Sequence, residues 1–139
     1  MSGIISEDKT LSSRETYLLQ GTVYVTNNAV LKIEPGTLIR GDYNSCGTLV
    51  ITKGAKIIAE GNESFPIVFT SNKDSYSRKP GDWGGIIIMG EAPVNTFGGV
   101  GILNFDLEQK YNRYGGNNIE SNSGILKYVR VEYFWKKIK

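Results

Sequence analysis

The sequence predicts an all-β fold, a single-stranded parallel β-helix (solenoid) of about three to four coils. The first observation is an internal repeat, because residues 21–26 (GTVYVT) recur as residues 47–52 (GTLVIT), 26 positions later. A fixed period of about 20 to 50 residues indicates supersecondary units that bury their apolar faces against each other. The second observation is composition, since 17 glycines among many Ile, Val, Thr and Tyr residues are typical of short strands joined by turns.

Each repeat contains three strand-length segments. Residues 21–46 are predicted to form the first coil, with turns at Asn27-Asn28 and Pro35-Gly36 that separate its three apolar bursts. Residues 47–72 are predicted to form the second coil with the same layout. Strand, corner, strand, corner, strand is the pattern of a parallel β-helix.

The alternation also predicts the core. Stacking at one offset is expected to place Val23 on Leu49 and Leu31 on Ile57, at the parallel-strand spacing of about 4.8 Å. The third strand of the first coil could turn either Leu38 or the following isoleucine inward. The predicted inward residues are Val23, Val25, Leu31, Ile33, Leu49, Ile51, Ile57, Ala59, Ile67 and Phe69.

The rest of the chain is expected to complete a single domain over residues 1–139. Residues 4–20 are predicted to be a partial coil that caps the N-terminal end, and residues 73–95 a loop and the third coil. Residues 96–123 show no sustained period and are predicted to be an irregular excursion. Residues 124–139 are predicted to hold the first strand of a fourth coil and a tail. The inward face of that strand is predicted to be Ile125, Val129, Val131 and Tyr133.

Composition excludes several classes of function. The net charge is +2 with both signs interspersed, so the sequence lacks the basic stripe that nucleic-acid binding needs. Cys46 is the single cysteine and histidine is absent, which argues against zinc sites and histidine-based catalysis, and no cofactor is predicted. No apolar run approaches the ~20 residues of a membrane span, and the first twenty residues lack a signal peptide, so the chain as given is expected to be soluble.

Four segments together resemble a known family. They are residues 33–37 (IEPGT), 54–61 (GAKIIAEG), 66–71 (PIVFTS) and 81–86 (GDWGGI). In this order they resemble secreted or surface-anchored right-handed parallel β-helix proteins of Bacteroidetes. The resemblance implies right-handed coiling and an extracellular or cell-surface location, and it implies no chemistry. Members of that family usually continue for further coils, so the chain is expected to be shortened, either as a natural short form or as a fragment of a longer protein.

Asp82 and Trp83 are the first candidate binding residues. A tryptophan beside an aspartate can bind a sugar by stacking and hydrogen bonding. The structural alternative is that Trp83 covers the outer face of the strand at residues 86–89, while the neighbouring glycines allow a sharp re-entry into the coil.

Late tyrosines are the second candidate group. Tyr111, Tyr114 and Tyr128 belong to an aromatic concentration near the end of the sequence. Aromatic stripes along stacked coils can bind glycans or partner proteins, but tyrosine is also a favoured strand residue.

Polar residues allow two further hypotheses. Oxygen ligands for calcium are available from Asp42, Asn44, Asp74, Asp82, Asp106, Asn117, Asn118 and Glu120. No calcium-loop spacing accompanies them, so turn formation explains them better and no metal site is predicted. Asp106 with Glu108, or Arg130 with Glu132, could serve a polysaccharide lyase or hydrolase, but such i, i+2 pairs also arise on any exposed strand face.

These observations predict a non-catalytic secreted or cell-surface β-helix module, with a structural or adhesive role or a glycan or surface protein as partner. The alternative is a polysaccharide-degrading enzyme or a fragment of one. A homodimer through the C-terminal coil is also predicted, because that coil leaves a strand edge beside Phe134, Trp135 and Ile138.

Overall fold

The computed structural model describes residues 1–90, 100–102, 113–115 and 122–134. These residues form short strands and one 3-10 turn, Ser75–Ser77, and none of the helices they contain could cross a membrane. The strands are β1 (Gly3–Ile5), β2 (Lys9–Leu11), β3 (Thr16–Leu19), β4 (Thr22–Val25), β5 (Val30–Ile33), β6 (Leu38–Gly41), β7 (Thr48–Ile51), β8 (Lys56–Glu60), β9 (Ile67–Ser71), β10 (Gly85–Ile88), β11 (Val100–Ile102), β12 (Arg113–Gly115), β13 (Gly124–Lys127) and β14 (Val129–Val131).

Three four-stranded parallel sheets build the molecule. Sheet A has the order β1-β4-β7-β10, sheet B has β2-β5-β8-β13, and sheet C has β3-β6-β9-β14. Each turn of the chain adds one strand to every sheet, so the described residues stack as four rungs. This is the predicted right-handed parallel β-helix.

The predicted core is confirmed. Val23 pairs with Leu49 and Leu31 pairs with Ile57 in the parallel ladders. All ten residues predicted to point inward are buried. In β6 the inward residue is Ile39, which is fully buried.

The first rung is more complete than the sequence predicts. Instead of a partial coil, residues 4–20 lie in a rung of three strands, because β1, β2 and β3 pair with β4, β5 and β6. Leu11 and Leu19 of this rung are fully buried. The stacked columns of inward side chains therefore begin in this rung.

The last rung corrects the predicted coil division. The sequence predicts residues 124–134 as the first strand of a fourth coil, but β13 pairs with β8 and β14 pairs with β9. Because β10 pairs with β7, the three strands β10, β13 and β14 complete one rung, and residues 89–123 are inserted between its first and second strands. Val129 and Val131 continue the columns of Ile67 and Phe69, as predicted.

One strand of this rung faces the other way from the prediction. The sequence predicts that Ile125 points inward, yet it pairs with the outward Ile58, whereas Leu126 pairs with the inward Ala59. The physical reason is the corner at Tyr128, where φ is 50° and the chain turns after a single residue. When the alternation of inward and outward residues is counted back from β14 through this corner, the inward and outward positions of β13 are exchanged.

The outer side of the last rung carries apolar residues. Ile125, Leu126 and Tyr128 are each about half exposed, and within the described residues β13 and β14 pair on one side only. Phe134 packs against the core. Trp135 and Ile138 lie outside the described residues. The homodimer through this end stays a prediction.

The inward and outward faces of β8 allow a test of the core. We expect Ile57→Ala to lower the free energy of unfolding by about 2–5 kcal/mol, because it opens a cavity in a fully buried column. The control is Ile58→Ala on the same strand, which faces outward and is expected to cost about 1 kcal/mol. Chemical denaturation measures both, and equal losses would contradict this assignment of faces.

Candidate functional site

Two loops meet at one corner of the solenoid. Residues 42–47 connect β6 to β7, and residues 72–84 connect β9 to β10. Because β6 lies beside β9 and β7 lies beside β10, the two loops are stacked on each other. They form an open cleft of about 200 Å³, and we call it the corner cleft. It is lined by Asp42, Tyr43, Asn44, Asn72 and Lys73.

The first loop is fixed by the side chain of Asp42. Its Oδ2 accepts hydrogen bonds from the Ser45 amide at 3.1 Å and from the Ser45 hydroxyl at 2.6 Å. Ser45 Oγ in turn accepts a hydrogen bond from the Gly21 amide at 2.9 Å. The wall of the cleft is therefore attached to the start of the same coil.

These bonds bear on the calcium hypothesis. Asp42 acts as a turn-forming residue, as the structural explanation of the sequence predicts. Within the described residues, no group of three or more acidic, cysteine or histidine side chains is placed to hold a metal ion. Asp106, Asn117, Asn118 and Glu120 lie outside the described residues.

Lys73 provides the cation of the cleft. Its Nζ lies 3.8 Å from the centroid of the Tyr43 ring and 3.5 Å from Asp82 Oδ1. Its backbone amide donates to Ser71 Oγ at 3.1 Å, and its carbonyl accepts from Arg78 Nε at 2.8 Å. A quarter of the lysine side chain remains exposed, so the ammonium is held between a carboxylate and an aromatic face at the edge of solvent.

Asp82 lies behind this lysine and is fully buried. Its Oδ2 accepts a hydrogen bond from the Lys79 amide at 3.1 Å. Burial raises the pKa of Asp82, but hydrogen bonds from the Ser71 hydroxyl and the Lys79 amide and the charge of Lys73 together lower the pKa below its ordinary value of 3.8. Asp82 is therefore ionised at neutral pH and supports the cleft from the interior.

Trp83 is also an interior residue. Its ring is fully buried and stacks on Phe69, with ring centroids 6.3 Å apart and an interplanar angle of 9°. Gly41 makes room for it, because a Cβ at that position would lie 2.5 Å from the indole ring. Trp83 thus packs inside the solenoid rather than over the outer face of residues 86–89, and burial leaves no ring face open to a sugar.

The same segment is bonded to the last rung. Trp83 Nε1 donates to the Glu132 carbonyl at 2.7 Å, the Asp82 amide donates to the Tyr133 carbonyl at 3.0 Å, and the Gly81 amide donates to the Phe134 carbonyl at 2.8 Å. Three hydrogen bonds therefore connect the base of the cleft to the end of the described chain.

Of the three predicted tyrosines, Tyr128 has a described side chain, and it does not lie at the cleft. Tyr128 is exposed at the corner between β13 and β14, and Lys127 Nζ lies 6.0 Å from the centroid of its ring. Tyr114 belongs to β12, which pairs antiparallel with β11, and its side chain lies outside the described residues, as does Tyr111. Tyr128 thus occupies a different corner from Asp82 and Trp83.

The structure describes one of the two residue pairs considered for catalysis. Arg130 Nε, on β14, lies 3.6 Å from Oε2 of Glu132, which directly follows that strand, so these two side chains form an ion pair with each other. Asp106 and Glu108 lie outside the described residues.

Sequence reasoning missed Tyr43 and Lys73. They are 30 positions apart, and the cleft forms only because their loops occupy the same corner of neighbouring coils. The signal that could have found them is the repeat itself, since both loops follow the third strand of a coil.

Fold and cleft together define a solenoid module with a polar and aromatic cleft at one corner. A family of pectate-lyase-like β-helix domains matches residues 3–139, and the chain belongs to this family. Comparison with curated proteins and with solved structures gives no match. The family confirms the predicted parallel β-helix repeat, whereas the narrower resemblance to secreted proteins of Bacteroidetes stays a prediction.

The buried carboxylate gives the site a predictable pH dependence. We expect Asp82→Asn to lower the free energy of unfolding at neutral pH by about 1–3 kcal/mol, because it removes a charge stabilised by Lys73 and Ser71. The pKa of Asp82 is depressed in the folded state. Its contribution is therefore present above the unfolded-state pKa of about 3.9 and is lost as the pH falls through the folded-state pKa.

Urea denaturation from about pH 2 to pH 7 measures this difference. The control is Asp74→Asn in the same loop, because Asp74 is exposed and makes no side-chain capping hydrogen bond. A difference between wild type and Asp82→Asn that stays constant over this range would contradict the depressed pKa.

Proposed function

We propose that this chain is a non-catalytic, extracellular β-helix module that binds a glycan in the corner cleft. The observation that carries this function is the composition of the cleft. It combines the ring of Tyr43, a residue 39% exposed, with the amides of Asn44 and Asn72, the carboxylate of Asp42 and the ammonium of Lys73. An aromatic ring supplies an apolar face for sugar C–H groups, and the polar groups supply donors and acceptors for hydroxyls.

The shape of the cleft also supports a polymeric ligand. Pockets that enclose a small molecule usually measure about 300–1,000 Å³. The corner cleft is smaller and open, which suits contact with one unit of a chain that extends along the surface. Stacked coils offer such extended surfaces.

The family provides independent support. A pectate-lyase-like β-helix domain points to polysaccharides as the related class of molecule, and such domains are commonly extracellular. Glycans carried by a cell-surface protein would provide the same chemistry as a free polysaccharide.

The arrangement of Lys73 favours binding over catalysis. A general base must accept a proton from the substrate. The Lys73 side chain is instead engaged by the ionised Asp82 and by the Tyr43 ring, an arrangement that holds it as a hydrogen-bond donor. Lys73 is therefore assigned a binding role.

Substitution of the aromatic ring tests the proposal. We expect Tyr43→Ala to weaken retention of a bound polysaccharide by about tenfold, a loss of about 1.4 kcal/mol, while Tyr43→Phe keeps most of the affinity because it keeps the ring. Affinity electrophoresis against a polysaccharide panel measures retention, and thermal unfolding verifies that each variant is folded.

The matched control is Tyr128→Ala, which removes an exposed tyrosine at another corner. It is expected to leave retention unchanged. Loss of binding in Tyr128→Ala with no effect of Tyr43→Ala would move the glycan site to the residue that the sequence singled out.

A second candidate function is a polysaccharide-degrading enzyme, and the family description is the observation that favours it. We expect no release of reducing ends and no unsaturated product when the protein is incubated with anionic and neutral polysaccharides, with and without calcium. Reproducible product formation, absent from a heat-denatured control, would replace the binding function with catalysis.

A further inference from the structure

The loops that form the corner cleft carry no net charge. Positive and negative side chains are equal in number in residues 42–47 and 72–84, namely Asp42, Asp74, Asp82, Lys73, Arg78 and Lys79. A site that recruits an anionic polymer normally presents an excess of positive charge, which raises the local concentration of the ligand. This corner provides no such excess.

The cation nearest to a ligand is already compensated. Lys73 Nζ lies 3.5 Å from the buried carboxylate of Asp82 and 3.8 Å from the centroid of the Tyr43 ring. An anionic ligand would have to compete with Asp82, whose side chain is 1% exposed and held by its own hydrogen bond from the Lys79 amide. Water screens an exposed charge more effectively than a buried one, so Asp82 is the stronger partner of this lysine.

The opposite wall is negative. Asp42 lines the cleft, and its Oδ2 is fixed by the Ser45 amide and hydroxyl. A ligand carboxylate beside it would meet a like charge in a cleft whose positive charge is compensated, which is unfavourable. Sugar hydroxyls can instead donate to the Asp42 carboxylate and exchange hydrogen bonds with the amides of Asn44 and Asn72.

We propose that the corner cleft binds an uncharged sugar unit of a neutral polysaccharide and discriminates against uronic acids. This inference rests on the proposed glycan-binding function and specifies its ligand class. Tyr43 contacts the apolar face of the sugar, Asn44, Asn72 and Asp42 bind its hydroxyls, and Lys73 donates a hydrogen bond without recruiting an anion.

The experiment compares a neutral galactan and a neutral β-glucan with polygalacturonate and alginate as probes. At about 0.15 M salt we expect retention of at least one neutral polymer about tenfold stronger than that of either uronate. Between about 0.05 and 0.5 M salt, neutral binding is expected to change less than about twofold, because no ion pair forms with the ligand.

A charge variant tests the cause of the discrimination. Asp42→Asn keeps an oxygen acceptor for Ser45 and removes the negative wall, so uronate retention is expected to increase about threefold or more. The matched control is Asp74→Asn, an exposed residue of the same loops that does not line the cleft, and it is expected to leave retention unchanged.

Two failures are distinguishable. Stronger retention of a uronate by the wild type, abolished by Tyr43→Ala, would overturn the neutral ligand class and leave glycan binding at the cleft in place. No retention of any polysaccharide, or retention that Tyr43→Ala does not reduce, would overturn the proposed function and this inference with it.

Discussion

In-register parallel pairing between successive rungs is the constraint on which the rest of this structure depends. The ladders place each side chain above its equivalent in the coil before, so most inward positions are apolar in successive rungs. The column Leu11, Ile33 and Ala59 shows the result, since all three residues are buried. The same pairing fixes both ends of each corner loop, and differences in coil length are therefore accommodated at corners. The cleft between residues 42–47 and 72–84 is a consequence of this rule.

The interior accommodates the loop at residues 72–84 through one position without a side chain, Gly41. In the column Leu19, Gly41 and Ser71, the absence of a side chain at Gly41 leaves a gap that the Trp83 ring fills. Bringing this segment inward also buries Asp82. Burial of a charge is costly unless it is paired and hydrogen-bonded, and the contacts with Lys73 and the Lys79 amide offset the cost. The same inward segment thus packs Trp83 into the core and places Asp82 where it holds Lys73.

The sequence was sufficient to predict strand pairing and the core where the local periodicity and the repeat agreed. The offset between Val23 and Leu49 predicted the ladder, and the alternation around Leu31 predicted the core, because both depend on residues within one period. Prediction failed where the chain departs from the period. A long insertion separates β10 from β13, so β13 could not be assigned to its rung from spacing. The direction in which Ile125 points could not be predicted from spacing either. A single corner residue, Tyr128 with positive φ, inverts the alternation of inward and outward positions between β13 and β14.

The residues of the corner cleft were harder to predict for a related reason. The sequence allowed two interpretations, sugar binding by Asp82 and Trp83 or a Trp83 that covers the outer face of residues 86–89. The gap over Gly41, which the sequence does not reveal, places the tryptophan in the interior instead. Tyr43 and Lys73 belong to different coils, and neither has a sequence motif. They come close only because the coils stack, and neither loop alone predicts this. The sequence therefore pointed to the tyrosines late in the chain instead of to Tyr43.

The hydrogen bonds from residues 81–83 to the carbonyls of Glu132, Tyr133 and Phe134 have a dynamic consequence. In a solenoid, one repeat can open locally while others stay folded, because each repeat contacts only its neighbours. Opening of the rung that contains β13 and β14 would break these three bonds and release the floor beneath Lys73. Opening of that rung and the arrangement of Lys73 are therefore thermodynamically linked, and a ligand that favoured the closed arrangement would slow amide exchange in a strand that it does not touch.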